Sequence, residues 1–297
     1  MVNLTLKQLR YFEALTQQGH FGRAADICSI SQPALSMQIK ELEQSLGSPL
    51  FERGPRQVRL TAFGESFAER VRGILRSVDE LDDLARASVG QLAGQLRIGV
   101  IPTIGPYLLP KILSDLTTAY PGLDLHVRET VTSRLIAELA EGRIDTAILA
   151  LPVSEPSLEE VPLFEEEFVL IRPATDADKP VPDREMLREM RVLLLEEGHC
   201  FRDQALSFCN LQGRQPRELL EGSSLSTLVQ LVGAGIGVTL IPEMALAVET
   251  RSASVTVSRF AGPQPKRQIG MVWRRTSPLA SQLQKIAAVV RHAGASG

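Results

Sequence analysis

From residue 95 onward the chain alternates apolar runs of strand length with stretches whose apolar residues keep a helical spacing, and this rhythm restricts most of the sequence to α/β architectures. Strand-like runs at 96–100, 123–127 and 146–151 are separated by amphipathic segments at 108–116 and 134–140, an order that predicts a largely parallel sheet. A second unit of the same kind runs from 168 to about 258, with a strand at 192–195 and a helix at 225–232. The apolar runs 269–273 and 279–290 return to the first unit. Two α/β lobes joined by crossing connections leave a cleft between them, a usual place for a small ligand.

The first sixty residues follow another rhythm. Leu6, Leu9, Phe12 and Leu15 recur every three residues, the stripe of an amphipathic helix. A short helical run reaches Cys28, a tight turn follows, and Ser31 then caps a helix with Pro33 in its first turn and Leu35, Ile39 and Leu42 on its inner face. Two short helices joined this tightly make a helix-turn-helix. The second helix exposes Gln32, Ala34, Ser36, Met37, Gln38 and Lys40, amides and hydroxyls suited to base edges and a lysine suited to phosphate. Residues 49–61 read as a hairpin wing with a Gly54-Pro55 turn and Arg53, Arg56 and Arg59 near its tip. Seven basic residues against five acidic ones through residue 60 is a slight excess, so affinity for DNA rests on several copies of the module. Next, Phe63, Phe67, Val71, Ile74, Val78, Leu81 and Ala85 form a heptad-like seam along a long helix, which ends in a glycine-bearing hinge at 88–94.

The totals narrow the function. A net charge of −3 over 297 residues argues against coating nucleic acid by bulk charge and leaves room for a local binding surface. No apolar run reaches membrane-spanning length, and the N-terminus lacks the regions of a signal peptide, so a cytoplasmic protein without a membrane partner is expected. His20, His126, His199 and His292 lack zinc-ligand spacing, so no metal or other cofactor is expected.

Two of the three cysteines fall within residues 196–209, and in a reducing compartment that pair needs a catalytic, metal or redox explanation. Cys200 has His199 beside it and Arg202 two positions on, and cationic groups or a helix N-terminus stabilise a thiolate. If residues 202–209 are helical, Cys200 and Cys209 stand about 13 Å apart along the helix. A disulfide needs Cα atoms within about 7 Å, so a bond between them would unwind the helix and couple a chemical event to a change of shape. Other features read as structural. Cys28 is a small apolar side chain, and Gly233-Ala234-Gly235-Ile236-Gly237 is a turn from helix to strand rather than a phosphate loop. Glu165-Glu166-Glu167 reads as a solvated strand edge, Met271-Val272-Trp273 as core, and Arg274-Arg275 as a surface pair.

Gly22-Arg23-Ala24-Ala25, Ser31-Gln32-Pro33-Ala34-Leu35-Ser36, Leu46-Gly47, Leu50-Phe51-Glu52-Arg53 and Leu60-Thr61 resemble the N-terminal signature of the LysR-type transcriptional regulators. The resemblance implies an all-α winged helix-turn-helix at 1–61, a pairing linker helix with its hinge at 62–94, and an α/β sensor domain of two periplasmic-binding-protein-like subdomains at 95–297. Lobe I would take about 95–167 plus 268–297, and lobe II about 168–267. It further implies a homo-oligomer, as a dimer of dimers, that reads an interrupted palindrome in promoter DNA and works with RNA polymerase. Its DNA contacts would come from Gln32, Pro33, Ala34, Ser36, Gln38, Lys40, Arg53 and Arg56.

Residues 101–110 together with Gly198-His199-Cys200-Phe201-Arg202-Asp203-Gln204-Ala205 and Phe208-Cys209 resemble the OxyR branch of that family, which senses hydrogen peroxide. This implies that Cys200 is the peroxidatic thiol and Cys209 the resolving one, with Thr103, Thr132, His199 and Arg267 around the peroxide and Arg202 and Asp203 behind them. Three functions compete on these residues: a peroxide-responsive regulator, a LysR-type regulator gated by a reversible effector in the cleft with the cysteines incidental, and a cysteine enzyme. The enzyme reading is disfavoured, because a histidine adjacent to its cysteine on one loop rarely turns toward that thiol and an N-terminal DNA module would have no use.

Overall fold

In a computed structural model, the structure describes residues 4–52, 58–88, 92–187, 189–208 and 221–295. The chain divides into two compact units, Met1–Ala85 and Arg86–Gly297.

The first unit opens with helices α1 (Leu6–Gln18), α2 (Phe21–Ile27) and α3 (Gln32–Leu46). Thr5 and Gln8 cap α1 reciprocally, side chain to backbone in both directions. The Ser31 side chain accepts from Ala34 N at 3.3 Å to start α3. Gly19 and Gly47 end α1 and α3 with positive φ, where a side chain would be strained. Phe12, Leu35, Leu42 and Leu50 are fully buried where the helices meet. The wing is a short antiparallel pair, β1 (Phe51–Glu52) and β2 (Arg59–Leu60). Its tip, with Arg53 and Arg56, lies outside the described residues.

Helix α4 (Ala62–Ser88) departs from the single predicted seam. Ala68, Val71 and Leu75 are buried in the first unit's core, and a Cβ on Gly64 would stand 2.1 Å from Leu50 O. Phe63, Ile74, Leu81 and Leu84 remain exposed. Val71 therefore leaves the seam: the helix carries two apolar faces, and among the described residues of the first unit only one of them is covered.

The second unit contains β3 (Gly94–Val100), α5 (Gly105–Ala119), β4 (Leu123–Glu129), α6 (Thr132–Ala140), β5 (Thr146–Leu151), β6 (Leu158–Pro173) and the short α7 (Arg184–Leu187). It continues with β7 (Leu194–Leu195), α8 (Cys200–Phe208), β8 (Glu221–Gly222), α9 (Leu225–Gly233), β9 (Thr239–Pro242), α10 (Leu246–Glu249), β10 (Val255–Ser258), β11 (Lys266–Arg274) and α11 (Ala280–Ala295). The main sheet runs β10-β6-β11-β5-β3-β4, with β9 also on β6. Only β3 with β4 and β3 with β5 are parallel there; β11 is antiparallel to β5 and β6, and β9 and β10 are antiparallel to β6. The sheet is thus mixed rather than largely parallel. The sequence rhythm locates strands and leaves their direction to the connections between them.

Strand β6 organises the unit. Leu158 and Leu163 belong to one core with Leu96, Ile98, Ile148 and Trp273, whereas Phe168 to Ile171 belong to another with Leu228, Val229 and Ile241. β11 lies along β6 from Leu158 to Glu167, and from Phe168 onward β6 pairs with β9 and β10. The crossing point is Glu165-Glu166-Glu167, which corrects the reading of that run as a solvated edge: Glu166 is buried at 6% exposure. Arg274 is buried as well, donating to Leu139 O at 2.8 Å, so it is no surface residue. The 233–237 glycines form the turn between α9 and β9, and a Cβ on Gly237 would meet Arg191 O at 2.4 Å.

Candidate functional site

Helix α8 begins at Cys200, two residues before its expected start, so the thiol occupies the first helical position instead of the loop ahead of it. Gly198 precedes it with φ +96, a conformation that strains any other residue. Cys200 packs against the lobe I core, while Phe201 is buried in the lobe II core with its ring centroid 4.9 Å from that of Phe168. Two successive residues are therefore anchored in different cores. Cys209 lies outside the described residues; among the described residues, Cys28 and Cys200 form no disulfide.

Cys200 lies in a tight, partly open pocket that it shares with Ile101, Pro102, Thr103, Val131, Thr132, His199 and Phe201. The lining side chains close on one another, leaving no room for even a water-sized molecule without movement of the lining. Thr103 arrives on the turn after β3 and is buried. Thr132 starts α6, and its Oγ1 is buried without a hydrogen-bond partner. An orphaned hydroxyl costs desolvation energy, about 1–3 kcal/mol, until something accepts from it or donates to it. His199 is half-buried; desolvation lowers its pKa, with Glu196 opposing, which favours the neutral ring at neutral pH.

Arg267 stands behind Thr103. Its Nη1 donates to Thr103 Oγ1 at 2.8 Å, its Nη2 to Thr103 O at 3.0 Å, and its Nε to Glu166 Oε2 at 2.7 Å. The guanidinium carbon lies 5.8 Å from the ring centroids of both Phe168 and Phe201. Burial pushes the Glu166 carboxyl pKa above its ordinary value, and the Arg267 cation pulls it back.

Thr103, Thr132, His199 and Cys200 thus meet at one cavity, with Arg267 one residue removed from it. Arg202 is turned elsewhere: its Nη1 donates to Leu195 O at 3.0 Å and to Glu221 Oε1 at 2.6 Å. Asp203 is exposed and lies outside the cavity lining. The cationic neighbours expected beside Cys200 are therefore a paired arginine and a desolvated histidine. Sequence reasoning missed Glu166 and Phe201, since neither carries a local signal: one became visible through cross-strand register and the other through the packing of α8. Among the described residues no group of three or more His, Cys, Asp or Glu side chains could hold a metal, and no helix is long and apolar enough to cross a membrane.

In the first unit, α3 presents Gln32, Pro33, Ser36 and Lys40 to solvent, with Ala34 and Gln38 partly exposed and Leu35, Ile39 and Leu42 turned inward. Gln38 Nε2 donates to Glu41 Oε2 at 2.8 Å, so its amide is held along the helix surface.

Residues 6–65 match the bacterial regulatory helix-turn-helix protein model of the LysR family, and residues 90–295 match the LysR substrate binding domain. The chain belongs to the LysR family of bacterial transcriptional regulators. It is 43% identical over 294 residues to a probable hydrogen peroxide-inducible genes activator of Streptomyces viridosporus, covering 97% of this chain and 94% of the relative. It is 40% identical over 293 residues to the DNA-binding transcriptional dual regulator OxyR of Escherichia coli strain K12, covering 97% and 95%. A full-length Pseudomonas aeruginosa OxyR carrying a cysteine-to-aspartate change superposes with a TM-score of 0.76 at 37% identity, over 97% of this chain and 95% of that one. A Corynebacterium glutamicum OxyR cysteine-to-serine mutant, H2O2-bound, superposes with a TM-score of 0.68 at 34% identity, over 99% and 94%.

Proposed function

We propose that the chain is a transcriptional regulator that senses hydrogen peroxide through a thiol–disulfide switch. The observation that carries this reading is the buried, unpartnered Thr132 Oγ1 on a residue that lines one tight pocket with Thr103 and Cys200. A molecule of two oxygens that both donates and accepts matches these hydroxyls in chemistry, and so tight a pocket disfavours a metabolite-sized effector.

In the first step the Cys200 thiolate attacks one peroxide oxygen, the O–O bond breaks, and hydroxide leaves to be protonated to water. Cys200 is then a sulfenic acid. In the second, the Cys209 thiol attacks that sulfur and displaces a second water, leaving a disulfide. Two thiols are oxidised and one peroxide is reduced to two waters. Thr103, polarised by Arg267, and Thr132 hold the oxygens in line, and the neutral His199 positions them rather than carrying charge. The switch is used once per signal, which distinguishes it from an enzyme's turnover. The domains divide as 1–61, 62–94 and 95–297, and the exposed stripe of α4 pairs chains so that Gln32, Ser36 and Lys40 of several copies meet promoter DNA. The site of action is the cytoplasm, where the DNA and RNA polymerase are.

Stoichiometric peroxide added to the purified full-length protein is expected to produce one intramolecular disulfide, Cys200 to Cys209, mapped by mass spectrometry. The footprint on a promoter should change with it and revert with a dithiol. A footprint that changed with peroxide while both thiols stayed reduced would sink the reading. On the DNA side, Gln32→Ala is expected to relax preference at one base position by about 1–3 kcal/mol across a library of operator variants. Lys40→Ala should weaken all sequences evenly and flatten the salt dependence. Identical profiles for the two variants would remove the distinction between base reader and phosphate contact.

A further inference from the structure

Arg267 owes its orientation to a carboxylate that arrives from the crossing point between the two lobes. We propose that Glu166 is a positioning residue for the peroxide reaction: it fixes the Arg267 guanidinium so that Nη1 meets Thr103 Oγ1 and leaves the threonine hydroxyl hydrogen to point into the cavity at Cys200. This rests on the reading of that cavity as the peroxide site.

Register makes the assignment specific. Glu166 lies directly across from Arg267 on the antiparallel β6 and β11, and the pleat turns both side chains inward, to 6% and 3% exposure. The flanking glutamates point outward and hold other cations, Glu165 with Lys266 at 2.6 Å and Glu167 with Arg259 at 2.8 Å. Only the middle carboxylate of the three reaches Arg267. It takes both Nε and Nη2 of the guanidinium on Oε2, each at 2.7 Å, while its Oε1 accepts from Met244 N at 3.4 Å.

The consequence reaches the cavity in two steps. A guanidinium held along its Nε–Nη2 edge presents Nη1 in a fixed direction, since the fork is planar. Thr103 Oγ1, accepting that N–H, has its own hydrogen directed away from the cation. The Thr103 carbonyl accepts from Nη2 at 3.0 Å and locks the backbone of the same residue. Without the carboxylate, a buried cation would lose its counter-charge and the constraint on its rotation, and the Thr103 hydroxyl would lose its direction.

The test measures, on the full-length protein, the second-order rate of Cys200 oxidation by hydrogen peroxide, and separately the rate of Cys200 alkylation by iodoacetamide read from its peptide by mass spectrometry. Alkylation needs an accessible thiolate and no aligned oxygens, so a general loosening of the fold moves both rates while a loss of positioning moves only the first. Glu166→Gln is expected to slow oxidation about ten- to a hundredfold and leave alkylation unchanged. Glu166→Asp keeps the buried charge but draws the carboxylate back from the guanidinium by one methylene, so it supplies the same comparison if the glutamine variant does not fold, with a smaller slowing. Adding Thr103→Val to either variant should bring no further loss, because both changes interrupt one chain of contacts. An unaltered oxidation rate in every folded Glu166 variant, with Thr103→Val slowed, overturns the positioning role and leaves the cavity reading intact. Oxidation and alkylation falling together show a merely structural carboxylate and overturn it too. Unaltered oxidation in both Thr103→Val and Thr132→Val removes the cavity reading and the proposal with it.

Discussion

Cys200→Ser is expected to abolish the peroxide response altogether, with no disulfide formed and the promoter footprint identical before and after oxidant. Serine keeps the size and the helical start of α8, so the loss tests the sulfur rather than the fold. A hydroxyl at neutral pH is not ionised and has no low-lying route to a sulfenic acid, whereas a thiolate attacks peroxide directly. The surroundings left in place, Thr103 and Thr132, keep their hydrogen-bonding groups but offer no atom that consumes the oxidant. Cys209→Ser should separate the two chemical steps: peroxide adds one oxygen to Cys200, visible as a trapped sulfenic acid with a dimedone-type reagent, and no disulfide follows. A Cys200→Ser protein that kept a peroxide-dependent footprint would transfer the sensing to some other group.

The second large effect is on stability. Phe201→Ala is expected to cost about 3–5 kcal/mol, because a fully buried ring leaves a cavity that its neighbours fill only in part. That ring is 1% exposed, contacts Phe168 edge-on at 4.9 Å, and covers one side of the Arg267 guanidinium. Its removal unshields a buried cation as well as opening the lobe II core. Two probes localise the loss. The only tryptophan, Trp273, is fully buried in the lobe I core, so its fluorescence reports that lobe. Amide hydrogen exchange along Phe168 to Ile171 reports lobe II. Exchange there should accelerate by about a hundredfold or more while the tryptophan transition moves less. Equal shifts in the two probes would mean that the lobes unfold as one unit, and no shift in either would mean that Phe201 is not a core residue.

These expectations share a cause in the way Cys200 and Phe201 are mounted. The thiol belongs to the lobe I side and the next residue to lobe II, so a change of bonding at Cys200 acts on a residue anchored in the other core. A disulfide that drew Cys200 toward Cys209 would load the first turn of α8, and with it Phe201, Arg267 and the Glu166 crossing.

Much of the molecule was legible in the chain itself. The Ser31 cap, Pro33 in the first turn and the Leu35, Ile39 and Leu42 stripe defined α3 because helix starts and helix faces are encoded within a few residues. Trp273 and its neighbours were placed in the core by their apolar run, and the glycines at 233–237 were read as a turn because of what precedes and follows them. Cys200 stood out through its neighbours, although the structure gives those neighbours other work: Arg202 pairs with Glu221 and His199 is desolvated. Glu166 and Arg274 were misread for one reason. Charged residues in sequence look solvated, and only a partner from a distant segment makes burial tolerable.

The sequence by itself determined most of the elements, the helix-turn-helix and the prominence of Cys200, since each depends on spacings of two, three or four residues, while the start of α8 at the thiol itself came only from the structure. Tertiary structure decided strand direction in the mixed sheet, which face of α4 is covered, and the placement of Glu166 across from Arg267. It also brought Thr103, Thr132 and Cys200 to one cavity from positions dozens of residues apart. Those outcomes rest on register and crossing connections between remote segments, and no local window of the chain carries that information.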